Sequence, residues 1–170
     1  DFCLSRGLGD VYKRQRVDAA GTAIVVILNK WDLLDADAEQ RRTVLADVAD
    51  RLSFLGYAPV LKASASSGRA VGRVIPALRE AETAYHRRIP TAALNRVVQD
   101  AQAAHPPPVV RRRRPRVLFA TQGATDPPTV TLFTTDVLPA TYLRYLERRI
   151  RESFNLGPAP LKRRLRRRAG

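Results

Sequence analysis

Apolar and polar positions follow two different periods along this chain. Residues 23–28, AIVVIL, are apolar throughout, as in a parallel strand covered on both faces, and the run stops at Asn29-Lys30-Trp31-Asp32. The polar stretch DADAEQRR leads into Val44, Leu45, Val48, Leu52 and Leu55, a spacing that predicts a helix, with Gly56 placed to end it. APVLKAS reads as a second short strand in which Lys62 stands where an apolar residue is expected. Ser66-Ser67-Gly68 reads as a loop, and Val71, Val74, Ile75, Leu78 and Tyr85 as one face of a further helix. Strand–helix–strand–helix is the rhythm of an open α/β sheet.

The pattern changes after His86. Pro90-Thr91 starts a helix with Thr91 as its expected N-cap and Leu94, Val97, Val98 and Ala101 on one face. Pro106, Pro107 and Pro108 end it. RVLFAT (116–121) and TVTLFT (129–134) read as strands joined by a turn carrying Gly123, Asp126, Pro127 and Pro128. A last helix places Tyr142, Leu143, Leu146, Ile150 and Phe154 on one side and Arg144, Arg148 and Arg151 on the other, closed by Gly157. PLKRRLRRR then reads as a final strand and basic tail. The fold class is therefore α/β over residues 16–86 and a small α+β unit, α-β-β-α-β, over residues 87–170.

Charge sharpens that division. The 170 residues carry a net charge of +14. Residues 16–86 balance nine Lys/Arg against nine Asp/Glu, whereas residues 87–170 hold eighteen basic and five acidic residues. The second part is thus the one expected to meet a polyanion, nucleic acid above all. Arg111, Arg112, Arg113, Arg114, Arg144, Arg148, Lys162 and Arg163 are the candidate phosphate contacts. A single cysteine, Cys3, and two distant histidines, His86 and His105, point to neither a disulfide framework nor a metal site, and no run is long enough to span a bilayer. A cytoplasmic, membrane-free setting is expected. Residues 1–15 have no clear period and resemble a spurious leader of fragmentary assemblies; Gly7 and Gly9 do not make a phosphate loop.

The chemistry concentrates at two strand ends. Guanine offers a ring N–H and an exocyclic amine on one edge, and a carboxylate at Asp32 accepts from both, which adenine cannot match. Asn29 can bond N7 and tie neighbouring loops together, while the Lys30 stem lies along the base plane. Ser64-Ala65-Ser66 ends the next strand; it resembles the turn from which a backbone N–H of GTPases donates to guanine O6, which makes Ala65 the expected donor. Both boxes lie at carboxyl ends of predicted strands, where open α/β sheets bind ligands.

These residues, together with YAPVLKASASSGRAV, RVLFATQGATDPPTVTLF and TYLRYLERRIRESFNLGPAPLK, carry a resemblance to the C-terminal part of the Der (EngA) ribosome-assembly GTPases. It covers residues 17–170. The resemblance implies the end of a second P-loop GTPase domain, a doubly wound sheet, at 16–86, and a KH-like domain at 87–170. It implies GTP or GDP as ligand, with magnesium, and large-subunit rRNA as partner. It also implies packing of the KH-like domain on the G domains. Guanine contacts carry over to Asn29, Lys30, Asp32, Ser64 and Ala65.

The chain contains no G-x-x-x-x-G-K-[ST] loop and no D-x-x-G following a strand, so no catalytic residue and no metal ligand is assigned. A C-terminal fragment, inactive by itself, is the expectation. The alternatives are a non-enzymatic KH-like rRNA-binding module and an Era-like GTPase fragment. The Gly-x-x-Gly clamp of KH domains is missing; Gly123-Ala124-Thr125-Asp126 does not supply it. Backbone-directed RNA contact follows, with Phe119, Phe133, Tyr142 and Phe154 assigned to the core.

Overall fold

The computed structural model describes residues 20–34, 37–110 and 112–168, so residues 1–15 and Arg111 lie outside it. Two short strands, β1 (Val26–Leu28) and β2 (Val60–Lys62), pair in parallel, with Val26 opposite Val60 and Leu28 opposite Lys62. Helix α1 (Ala38–Arg51) connects them. Its start is set by Asp37, whose carboxylate accepts from the Glu39 and Gln40 N–H groups at 3.0 and 2.8 Å. The helix ends at Arg51, earlier than the hydrophobic spacing suggests. Leu52 closes it, and a 3-10 turn, Ser53–Leu55, intervenes before Gly56. Gly56 therefore closes that turn, in an ordinary right-handed conformation, and not the helix. Helix α2 (Val74–Tyr85) follows β2 after the 3-10 turn Val71–Arg73.

The apolar residues of this part are only partly covered. No residue of α1 is buried, and on α2 the buried positions are Ala81 and Ala84. Ile75 and Leu78, assigned to the inner face of that helix, are 56% and 48% exposed, and Ile27 of β1 is 44% exposed. Lys62 is accounted for by its position: it is exposed at the end of β2, with Nζ 5.1 Å from the centroid of the buried Trp31 ring.

Residues 88–168 carry the main core. Helix α3 (Thr91–Ala104), strands β3 (Val117–Ala124) and β4 (Thr129–Thr134), helix α4 (Ala140–Phe154) and strand β5 (Lys162–Arg167) succeed one another, α-β-β-α-β. The sheet has the order β3-β4-β5, with β3 antiparallel and β5 parallel to β4. Leu94, Val98, Ala120, Val130, Leu132, Leu146, Ile150 and Leu156 are fully buried between the two helices and one face of the sheet. Both helices begin directly after a proline whose carbonyl accepts the first helical bond: Leu94 N–H to Pro90 O, and Leu143 N–H to Pro139 O, each at 3.0 Å. Pro90, not Thr91, is thus the N-cap of α3, and no side chain caps it. Likewise Asn155 ends α4, in the left-handed region at φ +53°, where Gly157 was expected to do so. The α3 C-terminus has its carbonyls satisfied from α4: Tyr142 Oη donates to His105 O at 2.8 Å and Tyr145 Oη to Ala101 O at 3.1 Å.

Edge β3 is closed without a strand. Asn95 Nδ2 donates to Ala120 O at 2.9 Å while Ala120 N–H donates to Asn95 Oδ1 at 2.8 Å. One strand end away, Gln102 makes the same pair with Val117, at 3.1 and 2.8 Å. Two carboxamides on α3, seven residues apart and so on one helix face, stand in for the missing ladder.

Candidate functional site

The two loops read from sequence as guanine boxes meet. Trp31 N–H donates to Ala63 O at 3.0 Å and Ala63 N–H to Leu28 O at 3.0 Å, which extends the β1–β2 register into the loops beyond the strands. Lys30 turns the chain there, held at φ +58°. A lysine in the left-handed region is strained by about 1 kcal/mol or more and persists where its surroundings dictate it. Asn29 and Ala65 come together across 36 residues of sequence: the Ala65 N–H donates to Asn29 Oδ1 at 3.0 Å. The same N–H that the sequence assigns to guanine O6 is therefore engaged with the asparagine that ties the loops.

Asp32 lies in the 3-10 turn Trp31–Leu34. Its Oδ1 is buried and has no hydrogen-bond partner among the described residues. An acceptor left unpaired in a folded chain is costly, and a donor-bearing ligand relieves it. Ser64 is fully buried and holds its own loop. Its N–H donates to Arg69 O at 3.0 Å, its Oγ lies 3.0 Å from Ser66 Oγ, and the Ser67 N–H donates to it at 3.3 Å. Gly68, at φ +73°, allows the turn back. Ser64 thus shapes the Ala65 turn from beneath. Ser66, read from sequence as part of the same box, belongs to this support together with Ser67 and Arg69; the last two were not among the site residues read from sequence, although Ser-Ser-Gly carries the turn signal.

The candidate phosphate contacts fall on separate elements. Arg112, Arg113 and Arg114 occupy the exposed loop between α3 and β3, where Val110 and Arg113 form a two-way backbone bridge. Arg144 and Arg148 are exposed on α4, the latter 3.8 Å from Glu152. Lys162 and Arg163 begin β5, and Arg163 Nε lies 3.2 Å from Glu147 of α4. Of the four aromatics assigned to the core, Tyr142 is buried and Phe154 packs against the core; Phe119 and Phe133 stack on each other, half-buried, at 4.1 Å.

Residues 88–166 match the family described as KH-domain-like of EngA bacterial GTPase enzymes, C-terminal. Over 144 residues, 84% of the chain, the sequence is 46% identical to the GTPase Der of Mycobacterium avium, of which it covers 30%. The chain belongs to the Der (EngA) family. Similar relatives are the GTPase Der of Mycobacterium marinum, 45% identical over 84% of this chain and 30% of that protein, and of Corynebacterium efficiens, 46% identical over 84% and 27%. The chain spans less than a third of the length of these Der relatives. No helix among the described residues is long and apolar enough to cross a membrane.

Proposed function

We propose that residues 16–86 form the base-recognition end of a GTP-binding domain and residues 87–170 the KH-like unit that brings it to rRNA. Both would belong to a longer protein that hydrolyses GTP in large-subunit assembly. The observation that carries the first part is the meeting of the two loops through Asn29 and Ala65 beside the unpartnered, buried Oδ1 of Asp32. Asp32 accepts from the guanine ring N–H and amine, Asn29, its Oδ1 held by the Ala65 N–H, addresses the opposite edge through Nδ2, and the Lys30 stem covers the base. Phosphates and magnesium would be held by parts of the longer protein that carry the phosphate loop. The exposed Ile27, Val60, Ile75 and Leu78 offer apolar surface for the remaining strands and helices of such a domain.

The test is a fluorescent guanine-nucleotide titration of this chain and of a version extended to the length of its relatives. Extension tightens binding, and excess guanosine but not adenosine nucleotide competes. Asp32→Asn turns an acceptor into a donor, so the extended variant loses guanine and gains xanthine nucleotide, whose 2-oxo group accepts. Equal competition by adenine nucleotides, or no effect of Asp32→Asn, defeats the assignment. This chain by itself is expected not to hydrolyse GTP; turnover that disappears on Asp32→Ala would overturn that expectation.

A further inference from the structure

The two faces of β5 are chemically different although nearly every residue in it is basic. Residues directly opposite on neighbouring strands share a face. Arg163, Leu165 and Arg167 stand beside Val130, Leu132 and Thr134, on the helix side of the sheet, although at this edge Leu165 is still 46% exposed. There Arg163 meets Glu147 at 3.2 Å and Arg167 meets Asp136 at 3.9 Å. Lys162, Arg164 and Arg166 stand beside Thr129, Thr131 and Phe133, on the opposite side. Among the described residues none of these three has a carboxylate partner. Phe119 pairs with Phe133, so Arg166 shares a row with two stacked rings, 4.1 Å apart and 12° from parallel.

We propose that this outer sheet face, Arg164 and Arg166 with the Phe119–Phe133 pair, is a binding surface for single-stranded RNA. It rests on the RNA-binding reading above and locates it. Alternate residues of a strand are about 6.6 Å apart, a step that suits successive phosphates of an extended strand. Arg164 and Arg166 contact phosphates, and the half-buried ring pair beside them offers apolar contact to an unstacked base. Lys162 is at the rim: it lies against Gly21, where a Cβ would come within 2.7 Å of its Cε, so the open part of the face is the Arg164–Arg166 end. Charge complementarity decides for a polyanion. The helix-side arginines each have a carboxylate within 4 Å, Arg163 sharing Glu147 with Arg151, whereas those of the outer face have none among the described residues and are left for an external anion. Cross-strand aromatic pairing also stabilises a sheet by itself, so the test must separate the two roles.

Binding of a fluorescein-labelled U-rich 12-mer RNA to the full chain is followed by anisotropy over a range of salt. Arg164→Ala/Arg166→Ala is compared with Arg163→Ala/Arg167→Ala, which removes the same charge from the other face. The outer-face variant is expected to weaken binding about tenfold at low salt and to lower the salt slope by roughly 1.4, two single-strand phosphate contacts. The helix-side variant changes binding by less than about threefold. Phe133→Leu, which keeps most of the apolar volume, weakens binding about fivefold with the salt slope unchanged. Equal losses in the two arginine variants, or an unaltered outer-face variant, overturn the proposal. If Arg144→Ala/Arg148→Ala abolishes binding while Arg164→Ala/Arg166→Ala does not, the RNA reading stands and the sheet-face assignment falls. Absence of RNA binding by the unaltered chain overturns both, and leaves the face to a protein partner.

Discussion

Replacing Asn95 by alanine removes the group that closes the β3 edge. Its carboxamide takes part in three hydrogen bonds, accepting from Ala120 N–H at 2.8 Å and donating to Ala120 O at 2.9 Å and to Thr91 O at 2.7 Å. Ala120 is fully buried, so its N–H and C=O have no ready access to water once the partner is gone. Each orphaned buried group costs about 1–3 kcal/mol. The third bond, to an exposed carbonyl, adds little. Some water enters at the sheet edge, which places the loss at about 2–4 kcal/mol. With a urea m-value of about 1 kcal/mol/M for a unit of this size, the midpoint of the KH-like unit falls by about 2–4 M. Asn95→Asp keeps the acceptor for Ala120 N–H and loses both donors, so it lies between alanine and the parent. Urea unfolding followed by far-ultraviolet circular dichroism gives the midpoints, and amide exchange at Ala120 reports the edge directly. A loss below about 0.5 kcal/mol, or Ala120 exchange unchanged in Asn95→Ala, would refute the edge-closing role.

Three further outcomes follow from the packing. Burial, with the neighbouring Tyr145 adding to it, pushes the Tyr142 hydroxyl up to about 12, so the unfolded chain gives up that proton first, near 10. Stability therefore falls as pH rises from about 10 to about 12, and Tyr142→Phe flattens that part of a pH series of urea midpoints; an equal fall in both proteins contradicts the cause. Glu147 bridges Arg151 at 3.3 Å and Arg163 at 3.2 Å, all three side chains no more than about a third exposed, so Glu147→Ala is expected to cost about 1–2 kcal/mol by thermal unfolding, less in high salt. A salt-independent loss would assign it to packing. Limited proteolysis of the chain should cut within residues 16–86 first, where the helices leave apolar side chains exposed, and spare 87–170; the reverse order would contradict this.

Much of the second part was legible in the sequence because its signals are local. The 3.6-residue spacing of Leu94, Val98 and Ala101, and of Tyr142, Leu146 and Ile150, required a buried helix face whatever the partner, and those residues are buried. Helix ends were less legible. Thr91, Gly56 and Gly157 have the residue types of caps, yet a proline carbonyl, Leu52 and Asn155 close those ends. Cap chemistry permits a terminus at several neighbouring residues, and packing selects among them.

The residues proposed to read guanine could be picked out as residue types at strand ends, and the charge asymmetry was plain from counting. That Ala65 N–H would be held by Asn29, and that Ser64 would support the turn from beneath, depended on bringing together loops 36 residues apart. Similarly, Arg163, Arg164, Arg166 and Arg167 are one chemical type in one run. Only the register of β5 on β4, and the positions of Glu147 and Asp136, decide which of them have an acidic partner within the fold and which face outward. Side-chain identity sets what each group can do; strand pairing and burial set which groups are left to do it.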